Sequence, residues 1–282
     1  DAEAGFLSDG RAVIADNSGK VYIIDKSGGK KQIFDNKAEI HGNVLVSKDA
    51  KTGEDLIAFG GDNGMFYVLD KDGPYLCEFE TSGRKTGSAD KEVNSISALP
   101  DGGFAVSSMD TRLYFLKQDC SQKYPPRPTG GYVDKPALVE ADGTIMTTSY
   151  DGWAYFLNSD GTVKGKFPTG AKSTSEISRY PATAKYPDGF YIFSSMDGYI
   201  YALDKNAKKV FNPIPISGSD KKVTPSISSP VVLPNGLIAI GAADSYMHYY
   251  NLSGVEVGKV KIASEPSVRP AVLDDGTLVI SS

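Results

Sequence analysis

The chain has 282 residues, of which 40% are hydrophobic and 23% are charged, and its formal net charge is -5 at pH 7. Its Lys and Arg residues are dispersed, so the basic patch expected of a nucleic-acid-binding protein is missing. No apolar run approaches the roughly 20 residues that span a bilayer as a helix. With 30 Gly, 16 Pro and 16 Tyr, the composition favours strands and turns over helices.

One motif of nine residues recurs six times and divides the chain into repeats. In chain order the copies are "NSGKVYIID" (17–25), "DNGMFYVLD" (62–70), "MDTRLYFLK" (109–117), "YDGWAYFLN" (150–158), "MDGYIYALD" (196–204) and "ADSYMHYYN" (243–251). The same position of each copy carries a ring: Tyr22, Tyr67, Tyr114, Tyr155, Tyr201 and His248. A period of about 45 residues predicts a solenoid, a propeller or another repeat array.

Each repeat is predicted to contain four short strands. An inner strand leads through a first turn into a second strand. The nine-residue motif then supplies the second hairpin turn and the third strand. A Gly-containing turn leads from the third strand to the outer strand. Asx-Gly pairs between apolar runs indicate these tight turns, because both central residues need positive φ. The first turns are predicted at Asp9-Gly10, Asp101-Gly102, Asp142-Gly143, Asp188-Gly189, Asn235-Gly236 and Asp275-Gly276. Second turns of the same type are predicted at Asp151-Gly152 and Asp197-Gly198.

The strands carry apolar residues on both faces, as in "VYII" and "YIYAL". A sheet that is buried on both faces needs a sheet on either side, and a radial arrangement of four-stranded units satisfies this need. The segment 267–282 matches only the first two strands of a further repeat. We therefore expect an all-β fold over residues 1–282: a single β-propeller domain of four-stranded antiparallel blades, with six full repeats plus a partial seventh.

The repeat also resembles that of a known family. Segments such as "SVRPAVLDDGTLVISS" (267–282) and "MDGYIYALD" are similar to the repeats of the pyrroloquinoline-quinone-type propellers, the quinoprotein alcohol dehydrogenase-like superfamily. The resemblance implies a non-catalytic binding or scaffold protein that mediates protein-protein interaction in the bacterial cell envelope, at a periplasmic or extracellular location. It leaves two alternatives open, a quinone-dependent dehydrogenase-like enzyme and a carbohydrate-binding propeller.

The chain departs from the dehydrogenases of that family in two respects. Their repeats carry a late Trp that docks neighbouring blades, whereas the corresponding residues here are Phe34, Phe79, Phe167 and Phe211. The dehydrogenases also have adjacent cysteines beside the quinone, and this chain has only Cys77 and Cys120. The spacing of these two favours unlinked thiols, with a disulfide as the alternative.

Few residues are suited to catalysis. His41 and His248 are the only histidines; we interpret His41 as a loop residue and His248 as a packing residue. The acidic segments 70–73 and 158–161 are interpreted as turns, because they are too short for a calcium loop. We therefore expect no catalytic residue, no metal and no cofactor.

Binding is expected in the connections between repeats, at 81–94, 121–133, 168–180 and 212–226, which are long and unlike one another. In the arrangement that the resemblance implies, they share one face with the second hairpins. Lys135, Arg179 and Arg269 precede inner strands, and such a group of cations would favour an acidic protein or peptide partner; solvated loop charges are the alternative. Arg127 and Tyr180 are further candidates, since Arg and Tyr are enriched at interface hot spots.

Three aromatic residues occupy one equivalent position, just after the second turn: Trp153, Tyr199 and Tyr246. Such rings could form a platform for a carbohydrate or a peptide. The competing interpretation is that they fill space between blades.

Overall fold

The computed structural model describes residues 4–171, 174–216, 225–226, 228–264, 270–273 and 275–280. Those residues form six four-stranded sheets and one two-stranded sheet. The one short helix among them is α1 (Ser82–Thr86). The predicted fold class, an all-β propeller with six full blades and a partial seventh, is confirmed. Within the described residues, no helix has both the length and the apolar composition to cross a membrane.

The chain divides into two compact units. The first comprises Asp1–Ile145 and Leu157–Thr162, and the second comprises Met146–Phe156 and Val163–Ser282. The expectation of a single domain over residues 1–282 stays a prediction.

The first three sheets belong to the first unit, and in each the strands lie in sequence order. The first sheet contains β1 (Gly5–Phe6), β2 (Ala12–Ala15), β3 (Lys20–Ile24) and β4 (Lys30–Asp35). The second contains β5 (Leu45–Lys48), β6 (Asp55–Gly60), β7 (Met65–Asp70) and β8 (Tyr75–Glu80). The third contains β9 (Val93–Ala98), β10 (Phe104–Ser108), β11 (Arg112–Leu116) and β12 (Gln122–Pro128).

The later sheets repeat the same order. The fourth contains β13 (Leu138–Val139), β14 (Ile145–Ser149), β15 (Trp153–Leu157) and β16 (Val163–Pro168). The fifth contains β17 (Ser178–Tyr180), β18 (Phe190–Ser195), β19 (Tyr199–Leu203) and β20 (Ile214–Pro215). The sixth contains β21 (Val231–Val232), β22 (Ile238–Ala242), β23 (Tyr246–Tyr250) and β24 (Glu256–Lys261). The two-stranded seventh contains β25 (Ala271–Val272) and β26 (Leu278–Val279).

The phenylalanines of the outer strands pack on rings of the next sheet. In the first unit, Phe34 lies 5.3 Å from Phe59 and 5.0 Å from Tyr67 between ring centroids. Phe79 lies 5.3 Å from Tyr114 in an edge-to-face arrangement. In the second unit, Phe167 and Tyr201 make the same kind of contact at 5.6 Å. Phenylalanine therefore docks neighbouring sheets at these positions, where aromatic pairs add to the stabilisation by buried area.

Phe211 differs, because it lies in the segment between β19 and β20 and its ring contacts Phe190 of the same repeat, with ring centroids 5.5 Å apart.

The two cysteines form a disulfide, so the interpretation as unlinked thiols was wrong. Cys77 on β8 and Cys120 in the turn after β11 have an S–S distance of 2.06 Å and a Cα–Cα distance of 5.8 Å. They are 43 residues apart, close to one repeat length. The bond therefore joins the outer strand of the second sheet to a turn of the third, so the two cysteines lie in adjacent repeats.

Candidate binding surface

The second hairpins are closed by a side-chain hydrogen bond that the sequence analysis did not identify. Tyr114 donates its hydroxyl to Oδ2 of Asp110 at 2.5 Å. The fourth and fifth repeats have the same bond, again at 2.5 Å, in the pairs Tyr155–Asp151 and Tyr201–Asp197. The hairpin aspartate was interpreted only as a turn residue. Its spacing to the ring, Asp-x-x-x-Tyr, is the signal that could have revealed the bond.

The sixth repeat has a histidine in place of the tyrosine. His248 is fully buried, with Nε2 3.0 Å from Oδ1 of Asp244 and Nδ1 2.9 Å from Oε1 of Glu256. It packs beside Tyr250, with ring centroids 6.2 Å apart. His248 is thus a buried residue held by two carboxylates, in agreement with its interpretation as a packing residue.

The hydroxyls of Tyr114 and Tyr201 stay neutral over a wide pH range. Burial, followed by the hydrogen bond to Asp110, raises the pKa of Tyr114 to about 12. Burial and the bond to Asp197 raise the pKa of Tyr201 as well. A phenolate in either place would lose its donor and face a carboxylate, so the protonated form is favoured.

The connections of the first unit are bonded to its second hairpins. We call the segments 36–44, 81–92 and 129–137, together with the hairpins 61–64 and 109–111, the connection surface. Asp110 Oδ2 also accepts a hydrogen bond from the Gly83 backbone N–H at 2.8 Å, and the Tyr114 hydroxyl accepts one from the Ser82 N–H at 2.8 Å. The start of α1 is therefore fixed to the hairpin of the following sheet.

The other two segments are fixed in the same way. The Asp62 N–H donates to the Glu39 carbonyl at 2.9 Å, and the Val133 N–H donates to the Ser108 carbonyl at 3.2 Å. These main-chain bonds hold loop side chains in place, which reduces the conformational entropy lost on binding.

Four carboxylates of the connection surface lie close enough to interact. Glu92 interacts electrostatically with Asp62, Asp90 and Asp134, and with His41. Burial, reinforced mainly by the charge of Asp62, raises the pKa of Glu92. Burial also raises the pKa of Asp62, while His41 opposes the shift. We call these four acidic residues the acidic centre.

Two of the three predicted cations lie among the described residues. The Lys135 ammonium lies 3.2 Å from Oδ2 of Asp134 and is thus paired within the acidic centre. Arg179 belongs to β17 in the second unit. Arg269 lies outside the described residues.

The placement of Arg179 and Tyr180 on the connection-bearing face was wrong. Both belong to the inner strand β17. Arg179 donates to the carbonyls of Phe190 at 3.2 Å and Asp188 at 2.5 Å, so it lies at the first-turn end of its sheet. Tyr180 is only 3% exposed and stacks on Phe190 at 4.2 Å. The predicted connection, 168–180, includes the three residues of β17. The strand begins this early because the loop that follows it, up to Gly189, is long.

Arg127 does not extend into the connections either. It lies on the outer strand β12, and its Nε donates to the Gly161 carbonyl at 2.9 Å. This carbonyl belongs to the turn between β15 and β16, so Arg127 stabilises a turn in this structure.

The three equivalent aromatic residues occupy the first position of β15, β19 and β23, as the repeat alignment predicts. All three are half-buried. The Lys166 ammonium lies 4.0 Å from the ring centroid of Trp153, and the Lys259 ammonium lies 4.6 Å from that of Tyr246. Tyr199 is paired with Pro215 across β19 and β20. Two of the three rings therefore have a cation over them.

No family model matches the chain, and no curated protein matches it significantly. Among solved structures, it is similar to BamB from Moraxella catarrhalis, with a TM-score of 0.75 and 20% identity over 99% of this chain and 79% of that chain. It is also similar to the WD40 β-propeller domain of Doa1, with a TM-score of 0.65 and 16% identity over 96% and 86% of the two chains. A computationally designed protein, Ika8, gives a TM-score of 0.74 and 12% identity over 98% and 81%. At these identities the likeness shows the propeller fold alone.

Proposed function

We propose that this chain is a non-catalytic propeller of the pyrroloquinoline-quinone repeat type that binds a protein or peptide partner on the connection surface of its first unit. The observation that carries the proposal is the attachment of these connections to the neighbouring hairpins. Asp110 and Tyr114 hold residues of the 81–92 segment by hydrogen bonds of 2.8 Å. Rigid loops on a propeller frame are suited to recognition, because function in such folds sits in the variable connections.

The chemistry of the partner follows from the acidic centre. Within it, Asp62 and Glu92 are partly desolvated, and Lys135 is paired with Asp134. Such a site favours a segment containing Lys or Arg over an acidic one. The acidic partner expected from the sequence depended on three cations; of these, Lys135 is paired with Asp134 and Arg179 donates to carbonyls of its own sheet.

The proposal that the chain is not an enzyme rests on the burial of His248 and the pairing of the two cysteines. His248 has no exposed surface, and Cys77 and Cys120 are joined to each other. A quinone-dependent dehydrogenase would instead oxidise alcohols with an artificial dye once quinone and calcium are supplied. We expect no such oxidation by this chain.

The disulfide supports a location in an oxidising compartment. Disulfides persist in secreted and periplasmic proteins, whereas the cytosol keeps thiols reduced. The Cys77–Cys120 bond is therefore consistent with the periplasmic or extracellular envelope location that the repeat resemblance implies.

The proposal is tested by affinity capture with the full chain. The double variant Glu92→Gln/Asp134→Asn removes two carboxylates of the acidic centre. The control variant Glu54→Gln/Asp72→Asn makes the same charge change at two exposed residues of the first unit, whose side chains are both 57% exposed. We expect one partner that wild type and control capture alike, and at least tenfold weaker capture by the first variant, about 1.4 kcal/mol. Equal capture by all three chains would refute the assignment of the surface.

A further inference from the structure

His41 lies between two carboxylates on the connection surface. Its Nε2 is 2.8 Å from Oε2 of Glu39 and 3.3 Å from Oδ2 of Asp62. One candidate ligand atom from each of the three side chains lies within 4.8 Å of the others. The same imidazole nitrogen therefore faces both carboxylates, although these come from different parts of the chain.

These separations suit a tetrahedral metal ion. Bonds of about 2.0–2.2 Å from zinc to nitrogen and oxygen place neighbouring ligand atoms about 3.3 Å apart. The distance from His41 Nε2 to Asp62 Oδ2, 3.3 Å, matches this value. The distance to Glu39 Oε2 is 2.8 Å, so binding of the ion requires these two atoms to separate by about 0.5 Å.

The backbone that carries the three side chains is fixed. Ile40, between Glu39 and His41, is completely buried. Gly42 packs so closely on β9 of the third sheet that an added Cβ would lie 1.5 Å from the Asn94 carbonyl oxygen.

Two further bonds hold the loop in place. Asn43 exchanges hydrogen bonds of 2.8 and 2.9 Å with the Ile96 main chain. The Asp62 N–H donates to the Glu39 carbonyl. The ligand set is thus held by packing and main-chain bonds, as a preorganised metal site requires.

The charges around the cluster favour a cation. Glu92 interacts electrostatically with both Asp62 and His41. It therefore adds a third negative charge to those of Glu39 and Asp62, and a concentration of charge of one sign attracts ions of the opposite sign.

We propose that Glu39, His41 and Asp62 form a binding site for Zn²⁺. One imidazole nitrogen and two carboxylate oxygens are ligands that Zn²⁺ accepts, and water would take the fourth position. Ca²⁺ binds oxygen ligands in larger number, so this set discriminates against it. The site goes beyond the proposed function and does not depend on it.

Calorimetric titration of the full chain with Zn²⁺ tests the site. Wild type should take up one equivalent, and His41→Ala and Glu39→Gln/Asp62→Asn should each bind at least tenfold more weakly. Glu54→Gln/Asp72→Asn, which loses two carboxylates elsewhere in the first unit, should bind as wild type. Ca²⁺ at the same concentration should not compete.

The two histidines supply a second, independent readout. On addition of Zn²⁺, the imidazole NMR signals of His41 should shift and those of His248 should not. An imidazolium that is merely paired with two carboxylates predicts no saturable uptake, and that result would overturn the site. Undiminished binding by His41→Ala, or a shift confined to His248, would overturn it as well. Partner capture by the Glu92→Gln/Asp134→Asn variant is measured separately, so the two proposals fail independently.

Discussion

The hydroxyl of Tyr114 is bonded on two sides, because it donates to Asp110 Oδ2 at 2.5 Å and accepts from the Ser82 N–H at 2.8 Å. One side chain thus joins a hairpin of the third sheet to the connection that precedes that sheet. The repeat motif accounts for the hairpin turn at 109–111, and this pair of bonds accounts for the attachment of the 81–92 segment to that turn.

Removal of the hydroxyl should weaken both elements. In Tyr114→Phe the Asp110 carboxylate keeps its bond to Gly83 but loses a buried donor, and the Ser82 N–H loses its acceptor. We expect a loss of about 1.5–3 kcal/mol in the free energy of unfolding, the range for hydrogen bonds to charged groups. Denaturant unfolding measures this loss. Tyr75→Phe is the control, since Tyr75 is 50% exposed on an outer strand, and a loss of the same size there would contradict the explanation.

Stability should fall at alkaline pH. Folding raises the pKa of Tyr114 from 10.0 to about 12, so the hydroxyl ionises at a lower pH in the unfolded chain than in the folded one. The contribution is complete below pH 10 and is lost as the pH rises towards 12, by about 1.4 kcal/mol per unit at most. Tyr201, with its raised pKa, acts in the same direction. Denaturant titrations between pH 9 and pH 12 should show a shallower decline for Tyr114→Phe/Tyr201→Phe, and an equal slope would contradict the linkage.

The second hairpins differ at one backbone position. Gly152 and Gly198 have φ values of 83° and 82°, and the equivalent residues Thr111 and Ser245 have φ values of 69° and 63°. In the left-handed region the Cβ of an L-residue lies too close to the following carbonyl oxygen, which costs about 1–2 kcal/mol. Thr111→Gly should therefore raise the free energy of unfolding by about 0.5–1 kcal/mol after the entropy cost of glycine. Thr111→Ala keeps the Cβ and should bring no such gain; a gain equal to that of glycine would rule out backbone strain as the cause.

The disulfide should contribute strongly to stability. A loop of 43 residues between Cys77 and Cys120 corresponds to about 4 kcal/mol of unfolded-state entropy. Cys77→Ser/Cys120→Ser should unfold at a correspondingly lower denaturant concentration, and wild type in reducing buffer should approach the variant. If reduction leaves the midpoint of wild type unchanged, the bond is not an important constraint.

The repeat motif was sufficient to predict the strands and their order. Positions such as Tyr155 and Gly152 serve the same local geometry in each repeat, and local geometry can be seen in one sequence. Contacts between repeats were harder to predict. Cys77 and Cys120 meet because neighbouring sheets pack; their separation of 43 residues places them in adjacent repeats but does not show that the two side chains face each other.

Candidate binding residues were predicted less well, for a physical reason. Arg179 was assigned to a connection because a long first loop shifted the start of β17, and a shift of a few residues moves a side chain to the other end of a strand. Arg127 is engaged by the Gly161 carbonyl, and such side-chain partners cannot be read from a linear motif. The Glu39–His41–Asp62 cluster combines a connection with a hairpin, so the sequence gives no spacing by which to recognise it.

Site-specific photocrosslinking tests most directly whether the connection surface binds the partner. A photoreactive phenylalanine analogue replaces Tyr132, which lies on the connection surface and is hydrogen-bonded to Asp90, or Tyr75, which is exposed on the outer strand β8. We expect a crosslinked protein product at position 132 that weakens as salt is raised, and none at position 75. A product at position 75 with none at position 132 would show that the partner does not bind the connection surface.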